Sequence, residues 1–154
     1  MDDYINIEIP IPSDNGGYVL LKCPLCGEIF KLIVSDIEDD SQLNIWCPSC
    51  GLVSESFFTE DVIELAERLI QNYATDVLND FAKDIENIFK NNSFVKVKTY
   101  STLKKEATDP IAIKIENLEN QIFTCCHKNA KISPSLKFEG CYCPFCGEVT
   151  NGNR

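Results

Sequence analysis

The chain has 154 residues, 44% of them hydrophobic, which suits one folded domain or two small modules and excludes a disordered polar chain. Its 14 Lys and Arg stand against 24 Asp and Glu, a formal charge of −10, and such a surface opposes non-specific contact with a phosphate backbone. The opening MDDYINIEIPIP lacks the basic stretch and apolar run of a signal peptide, and no run approaches the roughly 20 apolar residues of a membrane span; a cytoplasmic protein is expected, with no membrane partner.

In chain order, residues 4–12 alternate Ile5, Ile7, Ile9 and Ile11 with mostly polar neighbours, the period of a half-buried strand, and Pro10 and Pro12 place it at an edge. Ser13-Asp14-Asn15-Gly16-Gly17 reads as a turn. Residues 18–22 then form a strand that runs into Cys23-Pro24-Leu25-Cys26-Gly27, and 28–34 leaves it as another. The pattern repeats: 42–46 enters Cys47-Pro48-Ser49-Cys50-Gly51, and 52–58 leaves it.

From Thr59 the apolar period lengthens to 3.6, with Val62, Leu65, Leu69, Tyr73, Val77, Phe81, Ile85 and Ile88 on one stripe, Thr59 as N-cap and Asn91-Asn92-Ser93 as the stop. At about 1.5 Å per residue this single helix is about 45 Å long. Its broad apolar face calls for cover from the protein's own sheets, from a second copy in a homodimer, or from a partner helix. Residues 94–100 alternate again, a polar linker follows through Asp109, and Ile111, Ile113 and Ile115 form a further strand. IEIPIPSDNGGYVLLKC and IKIENLENQIFTC share the order of an alternating Ile strand, a polar turn and a strand delivering a cysteine, a weak internal repeat.

Nine cysteines in a reducing compartment point to metal rather than disulfides, and the odd count leaves one thiol over. A Cys-x2-Cys turn presents two thiolates on one side of a tight loop, and two such turns complete a tetrahedron for zinc. Pro after the first cysteine stiffens the turn, and Gly after the second permits a positive φ. Cys23, Cys26, Cys47 and Cys50 meet this pattern in full. Four protein ligands leave no open position, so the site is expected to be structural. Near the C-terminus, Cys143-Pro144-Phe145-Cys146-Gly147 has the same form, and its partners are two of Cys125, Cys126 and His127, with the choice open. Cys141 is expected to be a buried small hydrophobe rather than an alternative ligand or the spare thiol. An open catalytic zinc with Glu139 or Glu148 as base is the rival for this second site.

These knuckles resemble the zinc-ribbon family, closely over 18–58 and loosely over 120–150. The resemblance implies small β modules that serve as adaptors or bind nucleic acid or protein. They also resemble rubredoxins, whose four cysteines hold iron. The expected fold is α+β: an N-terminal β zinc ribbon (1–58), one long central helix (59–92) and a C-terminal β zinc-ribbon-like module (93–154), with two zinc ions per chain.

No nucleophile motif or phosphate-binding glycine loop is present, and a non-catalytic adaptor or regulatory protein acting through another protein is the expectation. The acidic run Asp36-Ile37-Glu38-Asp39-Asp40 is either a solvated loop or a dock for a basic partner. Two alternatives follow from charge. Lys96, Lys98, Lys104, Lys105, Lys128, Lys131 and Lys137 would form a nucleic-acid-binding patch, or the acidic surface would mimic nucleic acid and inhibit an enzyme that acts on it.

Overall fold

The computed structural model describes residues 4–98, 102–114 and 116–152. Their secondary structure is mixed α and β: β1 (Tyr18–Lys22), β2 (Ile29–Ile33), α1 (Val34–Ile37), α2 (Glu60–Phe89), β3 (Glu119–Phe123), β4 (Lys128–Ile132), α3 (Pro134–Glu139), β5 (Gly140–Tyr142) and β6 (Val149–Asn151). The chain divides into two compact units: Met1–Pro10 with Asp61–Pro110, and Ile11–Glu60 with Ile111–Arg154.

In the second unit the two cysteine-bearing hairpins share one antiparallel sheet in the order β1-β2-β4-β3. The hairpins meet at β2 and β4, where Lys31 pairs with Lys131 and Leu32 with Ala130. Alternation decides the faces. Val19, Leu21, Phe30, Leu32, Ala130 and Ile132 are buried together with Phe57, Phe123 and Phe145. Phe30 meets Phe57 edge-on with ring centroids 5.7 Å apart, and Phe123 meets Phe145 likewise at 6.3 Å, geometries that favour aromatic pairs.

Lys31 and Lys131 would repel each other across the central strand pair, and the turn ahead of β1 prevents it. Asp14 Oδ2 lies 2.7 Å from Lys131 Nζ and 3.5 Å from Lys31 Nζ, while Asp14 Oδ1 accepts the N–H groups of Gly16 (2.9 Å) and Tyr18 (3.0 Å). The Lys131 ammonium also sits 4.5 Å from the centre of the Tyr18 ring. These cations and amides hold the Asp14 carboxyl at about 2, although burial acts in the opposite direction.

The first unit is built on α2, which runs for 30 residues as its 3.6 period requires. Residues 4–10 do not form the expected strand; they carry no regular secondary structure, and Ile5, Ile7 and Ile9 line a groove with Ala66, Ile70 and Tyr73 of α2. Period-2 alternation therefore reports a segment with one covered face here, not a sheet. The segment after 102 carries no regular secondary structure either. Asn72 Nδ2 donates to Glu106 O (2.9 Å) and its Oδ1 accepts Glu106 N–H (2.8 Å), while Asn79 binds Leu103 in the same two-bond manner at 3.0 Å each. Between the clamps Lys105 pairs with Asp76 at 2.5 Å. Seven helical residues rise about 10.5 Å and three extended residues span about 10 Å, so the clamps match in register.

Other expected strands shrink. Residues 42–46 and 52–58 contribute one isolated bridge, Trp46 to Val53, and 95–98 and 111–114 carry no strand. Thr99, Tyr100 and Ile115, the ends of those expected strands, lie outside the described residues.

Candidate metal centres

Two clusters of four thiols gather in the β unit: Cys23, Cys26, Cys47 and Cys50, and Cys125, Cys126, Cys143 and Cys146, the sulfurs of each lying within 4.8 Å of one another. The first draws on the β1–β2 turn and on the turn at 47–50. The second draws on the β3–β4 turn and the β5–β6 turn. None of the nine cysteines is in a disulfide.

Three of the four turns are built alike. The N–H of the glycine closing each knuckle donates to the first cysteine's carbonyl: Gly27 to Cys23 (2.9 Å), Gly51 to Cys47 (2.9 Å) and Gly147 to Cys143 (2.8 Å). The first cysteine's N–H in turn reaches the residue after that glycine, Glu28 (2.8 Å), Leu52 (3.0 Å) or Glu148 (2.8 Å). The three glycines have φ of 79°, 69° and 76°, the left-handed region that glycine enters freely. Amides at the second and third positions after the first cysteine then point at its sulfur: Leu25 and Cys26 at Cys23, Ser49 and Cys50 at Cys47, Phe145 and Cys146 at Cys143. Glu148 thus enters the second cluster through its backbone.

The fourth turn is two residues shorter. Cys125 and Cys126 are adjacent, Cys126 N–H donates to Phe123 O at 3.3 Å, and His127 takes the left-handed place of the knuckle glycine at φ 53°. His127 is exposed and stands outside the cluster. Only its backbone is needed there, and histidine is among the non-glycine residues that tolerate this conformation. Cys141 is buried two residues before Cys143, and burial alone pushes its thiol up to about 11.

The two clusters are joined by a reciprocal contact. Trp46 N–H donates to Pro144 O (3.0 Å), and Tyr142 N–H donates to Pro48 O (2.9 Å). Each aromatic covers the other knuckle's glycine: a Cβ on Gly147 would lie 2.7 Å from Trp46 Nε1, and one on Gly51 would lie 2.8 Å from the Tyr142 ring. With the β2–β4 pairing, this makes the unit two similar halves, hairpin plus knuckle, facing each other. Of the internal repeat legible in the sequence, only the strands that deliver Cys23 and Cys125, β1 and β3, take part in that arrangement; the alternating Ile segments form no strand among the described residues.

Cys23, Cys47 and Cys143 are fully buried. Burial drives the Cys47 and Cys143 thiols well above the ordinary range, and the amides of each cysteine's own turn work against it. At Cys23 and Cys146 burial is outweighed by hydrogen bonds from amides and from neighbouring thiols, and both are lowered. Four converging sulfurs on tight turns, with amides aimed at them, suit a thiophilic cation whose charge replaces the lost hydration. Each four-cysteine group could hold a metal ion, and the knuckles fit the zinc-ribbon pattern.

Of the seven lysines singled out for nucleic acid, four face carboxylates of the same chain: Lys105 with Asp76, Lys128 with Asp36 and Asp39, Lys131 with Asp14, and Lys137 with Glu119. The acidic run at 36–40 is thereby partly engaged inside the fold. Among the described residues no helix is long and apolar enough to cross a membrane. Comparison with protein-family models, with curated proteins and with solved structures finds no match.

Proposed function

We propose that this chain is a non-catalytic zinc protein that binds another protein through the exposed face of α2, its β unit being pinned by zinc at Cys23/Cys26/Cys47/Cys50 and at Cys125/Cys126/Cys143/Cys146. Four thiolates per ion leave no position for substrate, so the metal sites serve the fold. The observation that carries the binding reading is the stripe Ile63, Ile70, Val77, Phe81 and Ile88, between 44% and 72% exposed on one line of the helix. Steps of 4 and 3 residues connect these positions with Glu67, Ala74 and Asp84 in a heptad-like seam.

The carboxylates select the occupant. α2 carries eight acidic residues against Arg68 and Lys83, and Glu67 and Asp84 lie in the seam itself. A second copy would set carboxylate against carboxylate, whether the helices ran parallel or in a two-fold antiparallel register that places residue 67 opposite 84. An amphipathic helix with Lys or Arg beside its apolar stripe complements both features. The ion pairs that occupy Lys105, Lys128, Lys131 and Lys137 weigh against the nucleic-acid reading.

Photo-crosslinking from residues 70, 77 and 81 in cells, with Arg68 and Lys83 on the opposite face as controls, tests this. A crosslink to one polypeptide with a basic amphipathic segment, abolished by Val77→Glu, supports the reading. A product with the mass of two copies of this chain, or equal crosslinking from both faces, contradicts it.

A further inference from the structure

The two clusters are alike in donors but unlike in build, and the difference singles out one pair of sulfurs. In the first cluster each close sulfur pair has a member hidden from solvent: Cys23 Sγ lies 3.8 Å from Cys50 Sγ, and Cys26 Sγ lies 3.5 Å from Cys47 Sγ, with Cys23 and Cys47 fully buried. In the second cluster Cys126 Sγ lies 3.9 Å from the buried Cys143 Sγ, whereas Cys125 Sγ and Cys146 Sγ, 3.6 Å apart, both belong to exposed residues. Among these four close pairs it is the one whose two residues are both exposed.

The shortened turn adds a second distinction. A knuckle of the C-P-x-C-G form directs two amides at its first sulfur, which spreads the thiolate's charge and lowers its nucleophilicity. The adjacent Cys125 and Cys126 leave no intervening residues to form that nest.

We infer that Cys125 and Cys146 form a hydroperoxide-reactive modification site, at which Cys125 is oxidised first and Cys146 closes a disulfide. Cys125 thiolate attacks the terminal oxygen of a hydroperoxide; the O–O bond breaks, the alcohol or water leaves with one proton, and sulfur becomes a sulfenic acid. Cys146 thiolate then attacks that sulfur, an S–S bond forms, and the displaced oxygen takes a proton and leaves as water. Two thiols have supplied the two electrons that reduce the peroxide. With two thiolates consumed, Cys126 and Cys143 no longer suffice for a tetrahedral site, so the second half of the unit is loosened while the first remains intact. The expected loss of metal rests on zinc being held there; the order of thiol oxidation does not.

The test treats the full-length zinc-loaded protein with limiting hydrogen peroxide, quenches over time, and maps disulfides and alkylated thiols by peptide mass spectrometry while native mass spectrometry counts metal. The expected result is a Cys125–Cys146 disulfide forming roughly ten-fold faster than any oxidation at Cys23, Cys26, Cys47 or Cys50, accompanied by loss of one of two ions. The first cluster in the same molecule is the control. Equal rates at the two clusters, or earlier oxidation of the first cluster or of Cys141, overturn the inference. A starting protein with fewer than two ions contradicts instead the zinc reading, and the order of oxidation is still read from the peptides. Inserting Pro-Leu between Cys125 and Cys126 together with His127→Gly rebuilds C-P-L-C-G, and it is expected to slow the second cluster to the rate of the first; an unchanged rate overturns the amide argument.

Discussion

Replacing Asp14 by Asn keeps the side-chain oxygen that accepts from Gly16 and Tyr18 and removes only the charge facing Lys31 and Lys131. Asp14 is largely covered, its side chain 17% exposed, so solvent screens the interaction incompletely. Its carboxyl lies near 2 in the folded protein against a reference of 3.8. At about 1.4 kcal/mol per unit, that depression corresponds to about 2 kcal/mol of stability at neutral pH. Because the folded value is the lower one, the contribution is complete above the unfolded value and is lost as the pH falls from about 4 towards 2. Asp14→Asn also leaves Lys31 and Lys131 directly opposite each other with no counter-charge. Urea unfolding of the zinc-loaded protein at pH 7 is expected to show a loss of about 2 kcal/mol with an unchanged slope. Adding Lys131→Met to Asp14→Asn is expected to recover part of it by removing one of the repelling charges. A loss under about 0.5 kcal/mol, within the range of an ordinary surface substitution, would refute the role given to Asp14.

Gly147→Ala puts a Cβ 2.7 Å from Trp46 Nε1 at a φ of 76°; it is expected to lower stability by about 2 kcal/mol and to shift the emission of the sole tryptophan, and an unchanged spectrum would contradict the reciprocal packing. His127→Gly is expected to retain both metal ions and to change stability by less than about 1 kcal/mol, towards greater stability, since glycine relieves the left-handed backbone; loss of one ion on native mass spectrometry would make the imidazole a ligand. Asn72→Ala combined with Asn79→Ala removes all four bonds by which α2 clamps residues 103–106, a strap along the helix. Tryptic cleavage after Lys104 and Lys105 should quicken at least ten-fold, a change that needs about 1.4 kcal/mol of easier local opening, and unchanged cleavage would show that the clamps do not hold the strap.

The parts of this molecule most legible in the sequence are those written in local spacing. Cys-Pro-x-Cys-Gly specifies its own turn through proline, glycine and two backbone bonds, so three of the four knuckles can be drawn from residues alone. The 3.6 period marks α2 to within a few residues at each end. What escapes is non-local. Nothing in β2 or β4 separately announces that Lys31 will face Lys131, and the resulting single sheet runs across the boundaries drawn at 58 and 92. The alternation at 4–12 reads as a strand, but Ile5, Ile7 and Ile9 line a groove with α2 and Ile11 packs against the β core, so one alternating run serves two different elements. The choice among Cys125, Cys126 and His127 stays open on sequence alone because adjacent cysteines fit no standard knuckle; the left-handed residue that must close such a turn is the signal that sets histidine apart. Two further signals stand in plain view: asparagines one heptad apart at 72 and 79, and the shared aromatic-Cys-Pro order of Trp46-Cys47-Pro48 and Tyr142-Cys143-Pro144. Four of the seven lysines sit opposite Asp14, Asp36, Asp39, Asp76 and Glu119, partners distant in sequence.

Native mass spectrometry of protein purified without added metal bears most directly on the pair of four-cysteine centres. Two zinc ions per chain are expected, falling to one in Cys47→Ser and, separately, to one in Cys143→Ser. Fewer than two ions in the parent chain, iron in place of zinc, or loss of both ions on either single substitution would contradict two independent zinc-pinned halves.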